Sequence, residues 1–156
     1  MSMDFKFLNN LTRDTIKKLD MYSDSAQQLM LGTFAVESDF GTHLHQLNGG
    51  PALGIGQMEP RTFHSLIDNY LHYRNALFDK IMYICRFDHK PNSIDLVTNT
   101  SFAICMTRIK YWKIKEQLPE SHDVQGLASY WKRYYNTPAG LGTEEKFIEK
   151  YYKYVR

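Results

Sequence analysis

The sequence predicts an all-α protein: apolar residues recur at helical spacing in nearly every segment, the strict alternation of a strand hardly appears, and turn residues separate the periodic stretches. A chain of 156 residues, 43% of them hydrophobic, matches one domain with one sizeable core, so residues 1–156 are read as a single domain without a linker. The periodic stretches amount to about seven helices.

Thr12 to Met21 makes a first short helix, and Ser23 or Asp24 supplies the oxygen that caps a second, running to about Ser38. Between Phe40 and Glu59 the chain carries Gly41, Gly49, Gly50, Gly54 and Gly56, which signals a loop with unusual backbone conformations. Pro60 opens a helix whose Phe63, Leu66, Ile67, Tyr70 and Leu71 follow an amphipathic stripe. A further helix covers Ala76 to Phe87. The turn at Lys90-Pro91-Asn92-Ser93 then leads into a long helix to about Lys115, with Phe102, Cys105, Met106, Ile109 and Trp112 as its buried stripe. Leu118-Pro119 ends it. Val124, Leu127, Ala128 and Trp131 mark another helix, Asn136 to Gly142 form a Pro/Gly loop, and Thr143 before Glu144 and Glu145 caps a last helix carrying Phe147, Ile148, Tyr151 and Val155.

Several function classes are disfavoured. No stretch approaches the roughly 18 consecutive apolar residues of a membrane span, and the Met1-Ser2-Met3-Asp4-Phe5-Lys6 start lacks the features of a signal peptide, so synthesis in a cytoplasm and no membrane partner are expected. Cys85 and Cys105 are too few for a disulfide framework and read as buried free thiols. His43 and His45 form the only close histidine pair and have no evident third ligand, so neither a metal nor another cofactor is expected. From Thr107 onward 10 Lys and Arg face 6 Asp and Glu. That excess suits a solvated surface or an anionic partner, and without a recognised motif nucleic acid is not expected.

The most informative position is Glu37. Counting back along its helix reaches Phe34, Thr33, Met30, Leu29 and Ala26 at i−3, i−4, i−7, i−8 and i−11, so the carboxylate lies on the apolar stripe. Desolvation there, and the negative end of the helix dipole, both raise its pKa toward the range of a general acid. The competing reading is a terminal glutamate that reaches past the helix end into water.

The run Ala35-Val36-Glu37-Ser38-Asp39-Phe40-Gly41, followed by Ala52-Leu53-Gly54-Ile55-Gly56-Gln57-Met58-Glu59-Pro60, resembles the first two motifs of soluble lytic transglycosylases and goose-type lysozymes in the lysozyme-like superfamily. Arg133-Tyr134-Tyr135-Asn136 is similar to the third, with Ala128-Ser129-Tyr130 as an alternative match. Gly56 departs from the second motif, where a bulkier apolar residue is common, and Arg133 replaces the third motif's alanine. The details of these stretches look like phage-encoded members.

The resemblance implies a compact lysozyme-like domain with a Gly-rich active-site loop, cleaving the glycan strands of peptidoglycan. Glu37 would be the catalytic acid, and Ser38, Gln57, Met58, Tyr135 and Asn136 would bind substrate. One carboxylate suffices for the anhydro-forming route, whereas a hydrolytic lysozyme would need a second, for which Asp39 and Glu59 are the candidates. Glu59 also reads as a helix cap, and Ser38 as a helix-end hydrogen-bonding group. A virion or tail structural protein that kept the fold without turnover is the alternative, and such proteins are the other expected partners.

Overall fold

The computed structural model describes residues 1–156 and contains eight α-helices and no β-strand. They are α1 (Phe5–Lys18), α2 (Asp24–Ser38), α3 (Pro60–Asn69), α4 (Asn75–Ile84), α5 (Asp95–Thr98), α6 (Thr100–Trp112), α7 (Val124–Trp131) and α8 (Glu144–Tyr154). Short 3₁₀ turns occupy Leu47–Gly49 and Leu71–Tyr73, and a π-helical turn, Lys132–Asn136, prolongs α7. Sheet-like pairing is limited to isolated bridges from Leu53 to His45 and to Met58.

Capping explains most helix starts. Ser23 Oγ accepts the Ala26 N–H at 3.0 Å to open α2, and Thr143 Oγ1 accepts the Lys146 N–H at 3.2 Å to open α8. α1 begins at Phe5, well before the expected Thr12, because Asp4 Oδ2 accepts the Phe7 N–H at 2.9 Å. Exposed Phe5 and Phe7 blur the apolar stripe of that first turn, which hid it from periodicity.

The long helix expected up to Lys115 is broken. α5 stops at Thr98, and extended Asn99 starts α6 by accepting the Phe102 N–H at 3.0 Å. The same side chain donates to Cys85 O at 3.0 Å, tying the break to the end of α4. Trp112, expected on the buried stripe, is 46% exposed: α6 ends there, and only the Arg108 guanidinium lies over the ring, 5.1 Å from its centroid.

α2 is buried on nearly every side, and α8, α7 and α1 pack around it. A Cβ at Gly32 would come within 2.3 Å of Phe147 Cζ, so only glycine lets α8 approach this closely. One core cluster joins α2 to Leu8, Ile16, Leu127, Trp131, Phe147 and Tyr151. A second gathers Phe63, Leu66, Ile81, Cys85, Phe102, Cys105 and Ile109 from α3, α4 and α6. Each such side chain, fully buried, stabilises the fold by roughly 1.5–3 kcal/mol. α6 serves both clusters, with Ala103, Ile104 and Tyr111 facing one and Cys105, Met106 and Ile109 the other. The two cysteines are free, buried thiols with their sulfurs 3.8 Å apart.

Candidate active site

Glu37 stands at the last turn of α2, and the chain leaves that helix sharply. Asp39 and Phe40 take left-handed conformations (φ 51° and 56°) and Gly41 follows at φ 79°. Phe34, Thr33, Met30, Leu29 and Ala26 are all buried, but so are Gln27, Leu31, Gly32, Ala35 and Ser38, so the whole helix is enclosed and the register of Glu37 does not single out one apolar face. Its carboxyl is half-buried and opens into a cleft of about 440 Å³.

The cleft is lined by Glu37, Gln46, Ala52, Gln57, Glu59, Arg61, Thr62, Lys110, Tyr135, Asn136 and Thr137. These residues come from the end of α2, the loop that follows it, the start of α3, the last turns of α6 and the π turn after α7. The loop takes positive φ values at Asn48, Gly49, Gly54 and Gln57, whereas Gly50, at φ −68°, and Gly56 do not, so the expectation drawn from its glycines is met in part.

Two groups hold the Glu37 carboxyl. The Trp131 indole N–H donates to Oε2 at 3.0 Å, and the Lys110 ammonium acts on it through its charge. Burial dominates and pushes the Glu37 pKa up from 4.5 to about 7, against the opposing pull of Trp131 and Lys110. Burial likewise pushes Lys110 down to about 8, countered by Glu37 and Glu59. Its Nζ donates to Tyr135 O at 3.1 Å and lies 3.8 Å from the Tyr135 ring centroid.

Tyr135 is the floor of this arrangement. Its hydroxyl donates to Gly56 O at 2.6 Å, joining the π turn to the glycine loop, and burial keeps the phenol neutral by raising its pKa. Gly56 now has a physical reason: a Cβ there would lie 2.5 Å from Thr107 Oγ1 and 2.7 Å from the Tyr135 hydroxyl. Gln57, at φ 45°, anchors its side chain by donating to Gly54 O at 2.9 Å. Asn136 Oδ1 accepts from Lys132 Nζ at 2.7 Å.

The structure therefore brings Glu37, Gln57, Glu59, Tyr135 and Asn136 to one cleft. It does not bring Met58, whose side chain is 2% exposed in the second core cluster while its backbone pairs with Leu53. Ser38 is fully buried at the helix end, donating to Phe34 O at 3.1 Å and accepting the Gly41 N–H at 2.9 Å, so it shapes the turn and does not line the cleft. Asp39 is drawn to Lys150 of α8. Burial pushes its carboxyl up, but the hydrogen bond and charge of Lys150, with His43 and Lys153, outweigh that and hold it below the usual range.

Glu59 corrects a different expectation. It sits at the position before α3 yet makes no capping hydrogen bond with its side chain, and its only ion pair, to Arg61, is long at 3.9 Å. Pro60 already removes one N–H donor from that turn, which lessens the need for a cap. The alternative third motif also separates from the cleft: the Tyr130 hydroxyl donates to Glu116 O at 2.9 Å.

Sequence reasoning missed Lys110 as a site residue and read Trp131 as structural alone. A signal for Lys110 was present, since it follows buried Ala103 and Thr107 at i+7 and i+3 on one face of α6. No group of three or more His, Cys, Asp and Glu side chains is placed to hold a metal ion, and no helix is long and apolar enough to cross a membrane. Chemically, a carboxyl with a pKa near neutrality, backed by a fixed N–H donor and a cation, can give up a proton and then carry the charge. No family model, curated protein or solved structure matches the chain.

Proposed function

We propose that this chain cleaves peptidoglycan glycan strands, as a lytic transglycosylase of the lysozyme-like type with Glu37 as its acid and base. The observation that carries this reading is the half-buried Glu37 carboxyl, at about 7, opening into a polar cleft that also holds Gln57, Tyr135 and Asn136. The motif resemblance supplies the substrate, and the cleft supplies chemistry consistent with it.

In this reading Glu37 protonates the bridging oxygen of the β-1,4 bond between N-acetylmuramic acid and N-acetylglucosamine as positive charge develops on the sugar ring. The Trp131 indole and the Lys110 ammonium then stabilise the carboxylate left behind. That carboxylate takes the proton of the muramic acid 6-hydroxyl, whose oxygen closes the 1,6-anhydro ring. Gln57 and Asn136 supply side-chain amides for the N-acetyl and hydroxyl groups of the sugars.

One observation favours a hydrolytic second reading. Glu59 lines the same cleft with its carboxylate committed to no cap, so it is the one other carboxylate there that could activate water. Asp39, held by Lys150, is not available for that role. The motif resemblance suggests a phage-encoded wall-cleaving protein, acting in lysis or as part of a virion.

Mass spectrometry of fragments released from purified peptidoglycan tests the proposal, with Glu37→Gln as control. Products one water lighter than hydrolysed muropeptides, absent with the variant, are expected. Reducing ends would establish hydrolysis, and no release by the unmodified protein across pH and salt would overturn enzymatic cleavage altogether.

A further inference from the structure

Cys85 and Cys105 are the only cysteines of the chain, and folding brings them together from two helices, across 20 positions of sequence, with their sulfurs 3.8 Å apart. Cys85 ends α4, where its carbonyl accepts the Asn99 Nδ2 hydrogen bond at 3.0 Å, and Cys105 lies in the middle of α6. That bond fixes the end of α4 against the start of α6 whatever the state of the thiols. The contact between the sulfurs is therefore built by the fold.

A disulfide needs a sulfur separation of about 2.0 Å, so the two side chains must close roughly 1.8 Å between them. The side that yields is α4: Ile81 is the only buried residue within that helix, whereas α6 is enclosed by both core clusters. The two thiols are not equivalent. Cys85 is 6% exposed and Cys105 is fully buried. The hydrogen bond with Cys85, burial and the charge of Cys85 all push the Cys105 thiol up, so it stays protonated. Cys85 is thus the sulfur that meets a co-reactant first.

We infer that Cys85 and Cys105 form a modification site, a dithiol that a small-molecule disulfide such as oxidised glutathione converts to an intramolecular disulfide pinning α4 to α6. The Cys85 thiol gives its proton to solvent, and its sulfur attacks one sulfur of the donor, whose S–S bond breaks and releases one thiolate. Cys105 then gives up its proton and attacks Cys85 Sγ, breaking the mixed disulfide and releasing the second donor thiolate. Both thiolates take up protons, so the protein loses two hydrogens with their electrons and the donor gains them. The new bond closes a loop that holds α5 and the break at Asn99, which restricts the unfolded chain. No cleft residue takes part, so the inference stands apart from the cleavage reading. A chain that passes from a reducing cytoplasm to the cell wall, as that reading has it, would meet disulfide donors on the way.

The test incubates folded, reduced protein in glutathione buffers of graded oxidised-to-reduced ratio, quenches with acid, alkylates in denaturant and reads the mass. The expected product is two hydrogens lighter than the reduced chain and takes no alkyl group. Its formation constant should be about a hundred-fold larger in the folded protein than in urea, the equivalent of the usual stabilisation by a disulfide closing a loop of this length. The oxidised form should melt about 5–10 °C above the reduced form, and dithiothreitol should reverse the shift. Cys105→Ala should stop at one glutathione on Cys85 and show no such rise. Thiols that both remain open to alkylation at the most oxidising ratio overturn the inference. So does a formation constant no larger in the folded protein than in urea. Both readings use the unmodified chain, so they decide the matter even where the variant is destabilised.

Discussion

The indole N–H of Trp131 donates to Glu37 Oε2 at 3.0 Å, across 94 positions of sequence, and this bond opposes the burial that raises the carboxyl pKa. If Glu37 acts as an acid, kcat/KM falls as pH rises through a midpoint near 7. Trp131→Phe keeps the aromatic packing against Phe147 but removes the donor. The midpoint should move upward by ~0.5–1 unit, with a rate loss of about ten-fold from the freed carboxyl. A pH–rate profile of the variant decides it, and an unmoved or lowered midpoint would remove Trp131 from the role assigned here.

Glu37 should also make stability depend on pH. Its folded pKa, about 7, exceeds the roughly 4.3 of an unfolded glutamate, so folding favours the protonated form. The resulting stabilisation is complete below about pH 4.3 and is lost as pH rises through about 7. Glu37→Gln carries no such penalty. Urea denaturation should find it equal to the unmodified protein near pH 4 and more stable at pH 8, by on the order of 2–3 kcal/mol.

Gly56→Ala tests the close approach of the glycine loop to α6 and the π turn. The new methyl would meet Thr107 Oγ1 and the Tyr135 hydroxyl, pushing Tyr135 off its hydrogen bond to Gly56 O. Stability should fall by about 1–3 kcal/mol and activity by more than that loss explains, since Tyr135 and Lys110 move together. Thermal melting and cleavage rates under folding conditions read the two effects separately.

Asp39 and Glu59 should respond in opposite ways. Asp39→Asn breaks the Lys150 pair between the end of α2 and α8, costing about 1 kcal/mol with little change in cleavage rate. Because the folded pKa of Asp39 is lowered, that cost should be present at neutral pH and vanish as acid protonates the carboxylate. Glu59→Gln leaves a transglycosylase within a few-fold of full activity; a loss of about a hundred-fold or more would indicate hydrolysis with Glu59 as the second acid.

Local chemistry made much of the fold legible. Ser23 and Thr143 cap the helices expected of them, Pro60 opens α3, and Tyr151 is buried beside exposed Tyr152, since two adjacent residues of a helix cannot both face inward. The break at Asn99 was not legible, because its reason is a hydrogen bond to Cys85 O from a helix that only folding brings near. The extra turns of α1 were hidden for the opposite reason: the cap at Asp4 was present, but exposed Phe5 and Phe7 blurred the stripe that follows it through Leu8.

The sequence by itself determined that Glu37 stands in the last turn of a helix, behind a run of buried apolar residues, because caps and periodicity are properties of neighbouring residues. Tertiary structure alone decided which groups meet that carboxyl. Trp131 reached it and Lys110 took a place beside Tyr135, while Met58 turned into the core and Asp39 turned to Lys150. Those outcomes depend on how α2, α6, α7 and α8 pack, and periodicity along one helix carries no information about which side chain of another will face it.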